Sequence, residues 1–222
     1  MQLRNSLIRN LTLVSVFILS LSANVMAQSS SAEQKNAGTE VVYSEEMVIS
    51  DLDQAGDQIK EGNAQEGSSK LREIARTIEN EASSAGAKSK SALQAAAREL
   101  TSLAKEVESG AKVSEERVKS TFSRVGQRLA MHHQNRAKES WARKETKQTA
   151  HDLKVAANYL ERSAKWSGRK LEKGAQVAIN DARKISGKLD EGAAYSVNEV
   201  AKAVQGLGSA ISTASRKLAG EK

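Results

Sequence analysis

The sequence predicts an all-α protein that contains a tandem duplication of a four-helix unit of about 82 residues. Three observations carry this prediction. From residue 44 onward apolar side chains recur at intervals of three and four, which is the helical period. Proline is absent, and Ala, Glu, Lys, Arg and Gln are abundant. One pattern of glycine and serine occurs twice. Together they predict an elongated helical bundle with one long central helix.

The repeated pattern lies in two segments that are about 82 residues apart along the chain. They read GAKVSEERVKSTFSRVGQRL at 110–129 and GAAYSVNEVAKAVQGLGSAI at 192–211. Each begins Gly-Ala, with Ser four, Val eight and a second Gly sixteen positions after the first Gly. At the same shift Leu71 falls on Leu153. Periodicity alone would align apolar positions by chance, but it would not also align Gly and Ser.

The first residues have the pattern of a secretory signal peptide. Arg4 and Arg9 precede an apolar run at 11–23, which is shorter than the roughly 20 residues that span a bilayer. A cut before Gln28 would remove residues 1–27. We therefore expect a periplasmic or secreted protein whose mature chain has no transmembrane span.

Glycines and helix-capping residues predict where the segments of the mature chain begin and end. Residues 28–43 are polar and lack periodicity, which predicts a disordered tether. Repeat unit 1 is assigned to residues 44–131 and repeat unit 2 to residues 132–222. Glycine is predicted to end helices, and Ser114 is predicted to begin one because acidic residues follow it. The predicted helices of the first unit cover residues 44–61, a stretch ending near 82, residues 89–109 and residues 114–142.

The last of these helices is predicted to join the two units. No helix-breaking residue lies between 129 and 133, so the fourth helix of the first unit should continue into the first helix of the second. The remaining helices of the second unit should follow the order of the first.

The charge is distributed unevenly along the chain. Residues 28–82 hold 12 acidic and 5 basic side chains, and residues 83–222 hold 15 acidic and 27 basic ones. One interpretation is a solvated helical surface with interspersed charges. The other is attraction to an anionic surface, for which we expect these residues: Arg124, Arg128, Arg136, Lys138, Arg143, Lys144, Lys147, Lys165, Arg169 and Lys170. Nucleic acid is not expected as a partner, because export separates the protein from the genome and few aromatics could stack on bases.

Histidines are the first candidates for a metal site. There are three, His132, His133 and His151. Adjacent helical residues point about 100° apart, so His132 and His133 should not readily share an ion. We therefore expect no metal ligand, with His133 and His151 as the first suspects if one exists. His133 also fits the apolar side of its helix.

The aromatic and acidic groups each allow two interpretations. Trp141, Tyr159 and Trp166 have helical spacing and should lie in the core, although Trp166, beside Lys165, could instead lie at a lipid interface. The acidic set Asp51, Asp53 and Asp57 could hold a cation, but it is expected to form a solvated face.

Several classes of function are disfavoured by the sequence. The absence of cysteine excludes disulfides, thiolate catalysis and Cys-ligated metals. No phosphate-binding glycine loop, HExxH motif or convincing Ser-His-Asp order occurs. We therefore expect a non-enzymatic structural or interaction module of the bacterial cell envelope, without a cofactor. Its partner would be a protein or an anionic envelope surface such as lipid headgroups or lipopolysaccharide.

An alternative stays open at this point. The chain could be a helical bundle that binds a small ligand, a metal or haem, with His133, His151, Trp141 and Tyr159 as its first suspects. The oligomeric state is not predicted, because the apolar stripes could close within one chain or between two.

Overall fold

A computed structural model describes residues 47–110, 112–218 and 220. The predicted signal peptide at 1–27 and the predicted tether at 28–43 lie outside the described residues. Within the described ranges every regular element is an α-helix, so the predicted all-α class is confirmed.

Seven helices make up the described part of the chain. The first two predicted turns lie where expected, at Gly62 and beside Gly86, and most boundaries fall within a few residues of the predicted ones. The helices are α1 (47–60), α2 (Ala64–Ser84), α3 (Ala87–Glu108), α4 (Glu115–Ala142), α5 (Thr146–Trp166), α6 (Lys173–Glu191) and α7 (Val197–Leu218).

The repeated glycine and serine have the same local role in both places. Gly110 and Gly192 follow α3 and α6 with φ angles of 73° and 69°. Glycine adopts this left-handed conformation without steric cost. Ser114 caps α4 through its hydroxyl. Ser196 Oγ accepts the backbone N–H of Glu199 at 3.1 Å, and the Glu199 carboxylate accepts the Ser196 N–H at 2.8 Å. Glycine therefore ends one helix and serine begins the next, as predicted.

Consecutive helices from α2 to α7 pack against each other, and α4 also contacts α7. Their shared interior consists mainly of Leu, Ile, Val and Ala. Leu71, Leu100 and Leu153 are completely buried, and so are many alanines, including Ala96 and Ala97. Alanine side chains allow the helix axes to approach closely but contribute little buried area each.

The predicted aromatic core is confirmed for two of its three members. Tyr159 is 1% exposed and Trp166 is 8% exposed. The Trp166 ring packs edge-to-face against Phe122, at 5.9 Å between centroids. The structure thus places Trp166 inside the bundle, which contradicts the alternative of a lipid-facing side chain. Trp141 is only partly buried and contacts Tyr195 at 6.1 Å.

Candidate functional site

A cluster of histidines and carboxylates lies where α2, α4 and α5 meet. His132, on α4, is 1% exposed, and its Nε2 lies 2.9 Å from Oε1 of Glu81, in the last turn of α2. The Arg136 guanidinium lies one turn further along α4, and its Nη1 is 3.3 Å from the same Glu81 oxygen. Glu81 thus has two nitrogen partners and remains partly open to solvent.

Asp152, on α5, forms the buried half of this cluster. It is fully buried, and its Oδ1 accepts a hydrogen bond from His133 Nδ1 at 3.0 Å. Gln148 Nε2 donates to Oδ2 at 2.9 Å, and Arg136 Nε lies 3.4 Å from Oδ1. The His133 ring stacks on Tyr159, at 5.8 Å between centroids and 14° between planes. The carboxylate is therefore paired and hydrogen-bonded, as a buried charge requires.

The charges around Glu81 keep it ionised. Burial alone would raise its pKa. The hydrogen bond from His132 and the charges of His133, His132 and Arg136 outweigh that effect and lower the pKa of Glu81 to about 2. Glu81 is consequently a carboxylate at neutral pH.

The two adjacent histidines lie closer together than their helical spacing predicted. Their ring centroids are 4.8 Å apart at 69°. Glu81, His132 and His133 each offer one possible ligand atom, and these three atoms lie within 4.8 Å of one another. Their hydrogen-bond partners lie on different helices, Glu81 on α2 for His132 and Asp152 on α5 for His133. The expectation that the two side chains do not readily share an ion stays a prediction.

A second feature is a groove of about 960 Å³ between α4 and α7. Four cationic side chains line it, and none of the described residues along it is acidic. Met131, on its α4 side, is 38% exposed, and the remaining lining consists largely of hydroxyl and amide side chains. The four cations are Arg124, Arg128, Lys138 and Arg216.

The structure divides the ten basic residues expected at an anionic surface into three groups. Five form ion pairs within the chain: Arg124 and Arg128 with Glu99, Arg136 with Glu81 and Asp152, Arg143 with Glu145, and Lys147 with Asp190. Arg169 donates to the backbone carbonyl of Lys217. Within the described ranges the other four have no ion pair: Lys138, Lys144, Lys165 and Lys170.

A smaller cavity of about 300 Å³ lies between α5, α6 and α7. Its lining includes Leu160, Leu171 and Ala210, with Lys170 and Lys217 among the polar members. The residues suspected of holding a small ligand lie elsewhere. His133 and Tyr159 belong to the buried cluster, and Trp141 contacts Tyr195.

The expected solvated acidic face is only partly correct. Asp53 accepts a hydrogen bond from the indole N–H of Trp166 at 2.8 Å and forms an ion pair with Arg162. Asp51 pairs with Lys70 at 2.8 Å. These carboxylates therefore join α1 to α5 and to α2, instead of projecting unpaired into solvent.

Several residues of these sites were not identified from the sequence. Glu81 and Asp152 were missed because each lies far along the chain from its histidine, by 51 and 19 positions. Arg216 was missed because it lies beyond the basic run considered. No short motif joins these residues, so only the packing of the helices brings them together.

Among the described residues, no helix combines the length and the apolar character that crossing a membrane requires. No family model, curated protein or solved structure matches the chain.

Proposed function

We propose that this chain is an exported, non-enzymatic interaction module of the bacterial cell envelope, and that the groove between α4 and α7 binds anionic lipid headgroups. The observation that carries the proposal is the composition of the groove, with four cations and no acidic side chain among its described residues. Such a concave surface of one sign attracts anions over a distance of about a Debye length.

Ion pairs within the chain neutralise only part of the positive charge of the groove. Arg124 Nε and Arg128 Nη2 each lie 2.7 Å from an oxygen of Glu99, so one carboxylate offsets two guanidinium groups. Lys138 and Arg216 are exposed and lie in the groove without a carboxylate partner in the described part of the chain. Three positive charges therefore remain for a ligand, and each contributes about 1 kcal/mol near an anionic membrane surface.

We further propose that the bundle arose by duplication of the repeated unit. In support, α2 begins at Ala64 and α5 at Thr146, while α4 begins at Glu115 and α7 at Val197. Both differences equal 82. Buried positions agree as well, since Leu71 and Leu153 are both fully buried.

Two polar contacts recur at equivalent positions with the acidic partner exchanged. Asp51 pairs with Lys70 at 2.8 Å, and 82 positions later His133 contacts Asp152 at 3.0 Å. The acidic partner lies first in one unit and second in the other.

The second exchanged pair joins the third and fourth helices of each unit. Glu106 pairs with Arg117 at 2.6 Å, and the equivalent residues Lys188 and Glu199 pair at 2.8 Å. Keeping a contact while exchanging its charges supports common ancestry more strongly than a shared apolar period does. On this proposal the groove lies between the equivalent helices α4 and α7, and α4 is the long helix that joins the units.

Export is the other part of the proposal. It rests on the signal-like residues 1–27 and on the absence of cysteine, which leaves no thiol to be oxidised outside the cytoplasm. Periplasmic or secreted location would bring the groove to anionic lipid headgroups.

Vesicle sedimentation tests the proposed function. The protein should bind vesicles of phosphatidylglycerol and phosphatidylcholine but not phosphatidylcholine alone, and raising NaCl from about 0.05 to about 0.5 M should release it. The double variant Lys138→Glu and Arg216→Glu should weaken binding at least about tenfold.

The matched control places the same charge change on α3. Lys88 and Lys90 are exposed and lie outside the groove, so Lys88→Glu and Lys90→Glu should have a much smaller effect. Equal losses in the two double variants would refute a groove-specific site. Absence of binding to anionic vesicles would refute the proposed function.

A further inference from the structure

We propose that Glu81, His132 and His133 form a binding site for one Zn²⁺ ion. Each residue offers one ligand atom, and these atoms all lie within 4.8 Å of one another. Two imidazoles and a carboxylate are a ligand set that proteins use for zinc, with a fourth position left for water. This inference is independent of the anionic groove.

The spacing requires only a small contraction. With bonds of about 2.0–2.1 Å and tetrahedral angles, ligand atoms on one zinc ion lie roughly 3.3 Å apart. His132 Nε2 and Glu81 Oε1 are already 2.9 Å apart. The widest separation within the set is at most 4.8 Å. It must therefore close by roughly 1.5 Å at most to reach that zinc spacing. Glu81 lies at the partly exposed end of α2, where its side chain can adjust.

The surroundings of His133 are those of a metal ligand. Its Nδ1 is bound to Asp152, a fully buried carboxylate that Gln148 also holds. In metalloproteins a ligating histidine commonly has its second nitrogen bound to a carboxylate in this way, which fixes the ring and raises its basicity. Asp152 would therefore act as a positioning residue for His133.

His132 presents one ring nitrogen to Glu81 and the other to the adjoining cavity. The residue is 1% exposed, its Nε2 faces Glu81, and its Nδ1 is buried without a hydrogen-bond partner in the described structure. Buried polar atoms are rarely left unsatisfied, and such an atom indicates a water or an ion that completes the site. Zinc would bind at Nε2, the nitrogen that faces Glu81, so a water from the cavity that His132 lines would be the partner of Nδ1.

The site has an access route and a competing cation. Glu81, His132 and Arg136 line a cavity of about 500 Å³ at the junction of the α2–α3 turn with α4. The Arg136 guanidinium lies 3.3 Å from Glu81 Oε1 and 3.4 Å from Asp152 Oδ1. It occupies the position of a counterion in the metal-free cluster, so zinc must share Glu81 with it or displace it.

Only one such site is expected per chain. At the equivalent positions of the other repeat unit, Glu81, His132 and His133 correspond to Ser163, Ser50 and Asp51, which cannot reproduce the ligand set. The expected stoichiometry is therefore one zinc ion per chain.

Isothermal titration of the untagged protein with Zn²⁺ tests the proposal. We expect one saturable site, and Co²⁺ in the same site should give the intense visible absorption of a four-coordinate ion. Glu81→Gln and His132→Gln should each weaken zinc binding at least about tenfold. Asp152→Asn should weaken it by about the same factor, through the orientation of His133.

The matched control is His151→Gln, which alters the third histidine and should leave zinc binding unchanged. Glu81 is the decisive position, because its partly exposed side chain can be replaced without disturbing the core. Circular dichroism establishes that each variant is folded. The proposal is overturned if the protein shows no saturable zinc binding, or if Glu81→Gln binds zinc as tightly as the unaltered protein.

Discussion

Gly126 offers the sharpest test of how closely α4 and α5 pack. A Cβ atom at this position would lie 2.9 Å from Cζ3 of Trp166 and 3.2 Å from Cβ of Ser163. Neither neighbour can move freely. The Trp166 indole donates to Asp53, and the Ser163 hydroxyl donates to the backbone carbonyl of Ser123. Gly126→Ala should therefore overpack the interface, which costs about 1–3 kcal/mol.

Gly187 provides the matched control in the interior of α6. A Cβ atom added there meets nothing within 4 Å. Gly187→Ala should stabilise the fold by about 1 kcal/mol, because alanine is the better helix former. The same gain applies at Gly126, where it partly offsets the overpacking and leaves a net loss of about 0–2 kcal/mol. The difference between the two variants, about 1–3 kcal/mol, isolates the packing effect.

Urea unfolding followed by circular dichroism measures both variants. The midpoint should fall or stay level for Gly126→Ala and rise for Gly187→Ala, with similar m-values. Equal stabilisation in the two variants would refute the close contact between α4 and Trp166.

Three further predictions concern the charged cluster and the caps. Asp152→Ala should lower the free energy of unfolding by about 3–5 kcal/mol, because it leaves His133 with an unpaired buried group; a loss below about 1 kcal/mol in urea unfolding would contradict the buried pair. Stability should fall as the pH falls from about 4.3, the pKa of an unfolded glutamate, toward about 2, the pKa of Glu81 in the fold, because protonation removes its ion pairs. In Glu81→Gln the loss of stability between these pH values should be smaller by about 1–2 kcal/mol. This value is reduced because the Glu81 side chain is partly exposed. If the variant and the unaltered protein lose the same stability on acidification, Glu81 is not the group responsible. Ser196→Ala should lower the free energy of unfolding by about 1 kcal/mol, because it removes the reciprocal cap with Glu199. Thermal unfolding measures this loss. The control Ser196→Asp keeps a capping oxygen, so its stability should fall much less.

Local features of the fold could be predicted because their causes are local. The spacing of apolar residues indicated the helices, and the pair Gly110 and Ser114 indicated where one helix ends and the next begins. A left-handed turn needs a residue without a Cβ, and a helix start needs a side-chain acceptor, whatever the rest of the protein does. The candidate sites could not be predicted in this way. Glu81 and His132 meet across 51 positions, and nothing near either residue indicates the other.

The sequence by itself determined the helical class, the sites where most helices begin and end, and the excess of positive charge in the second half. Those properties follow from composition and from interactions within a few residues. Only the tertiary structure decided which basic side chains remain unpaired and can bind an anion. Glu99 on α3 offsets part of the charge of Arg124 and Arg128, whereas Lys138, on the same helix as both, keeps its full charge. The physical reason is distance, because an ion pair forms between groups about 4 Å apart in space, and the separation of helices in space is set by their packing and not by their separation along the chain.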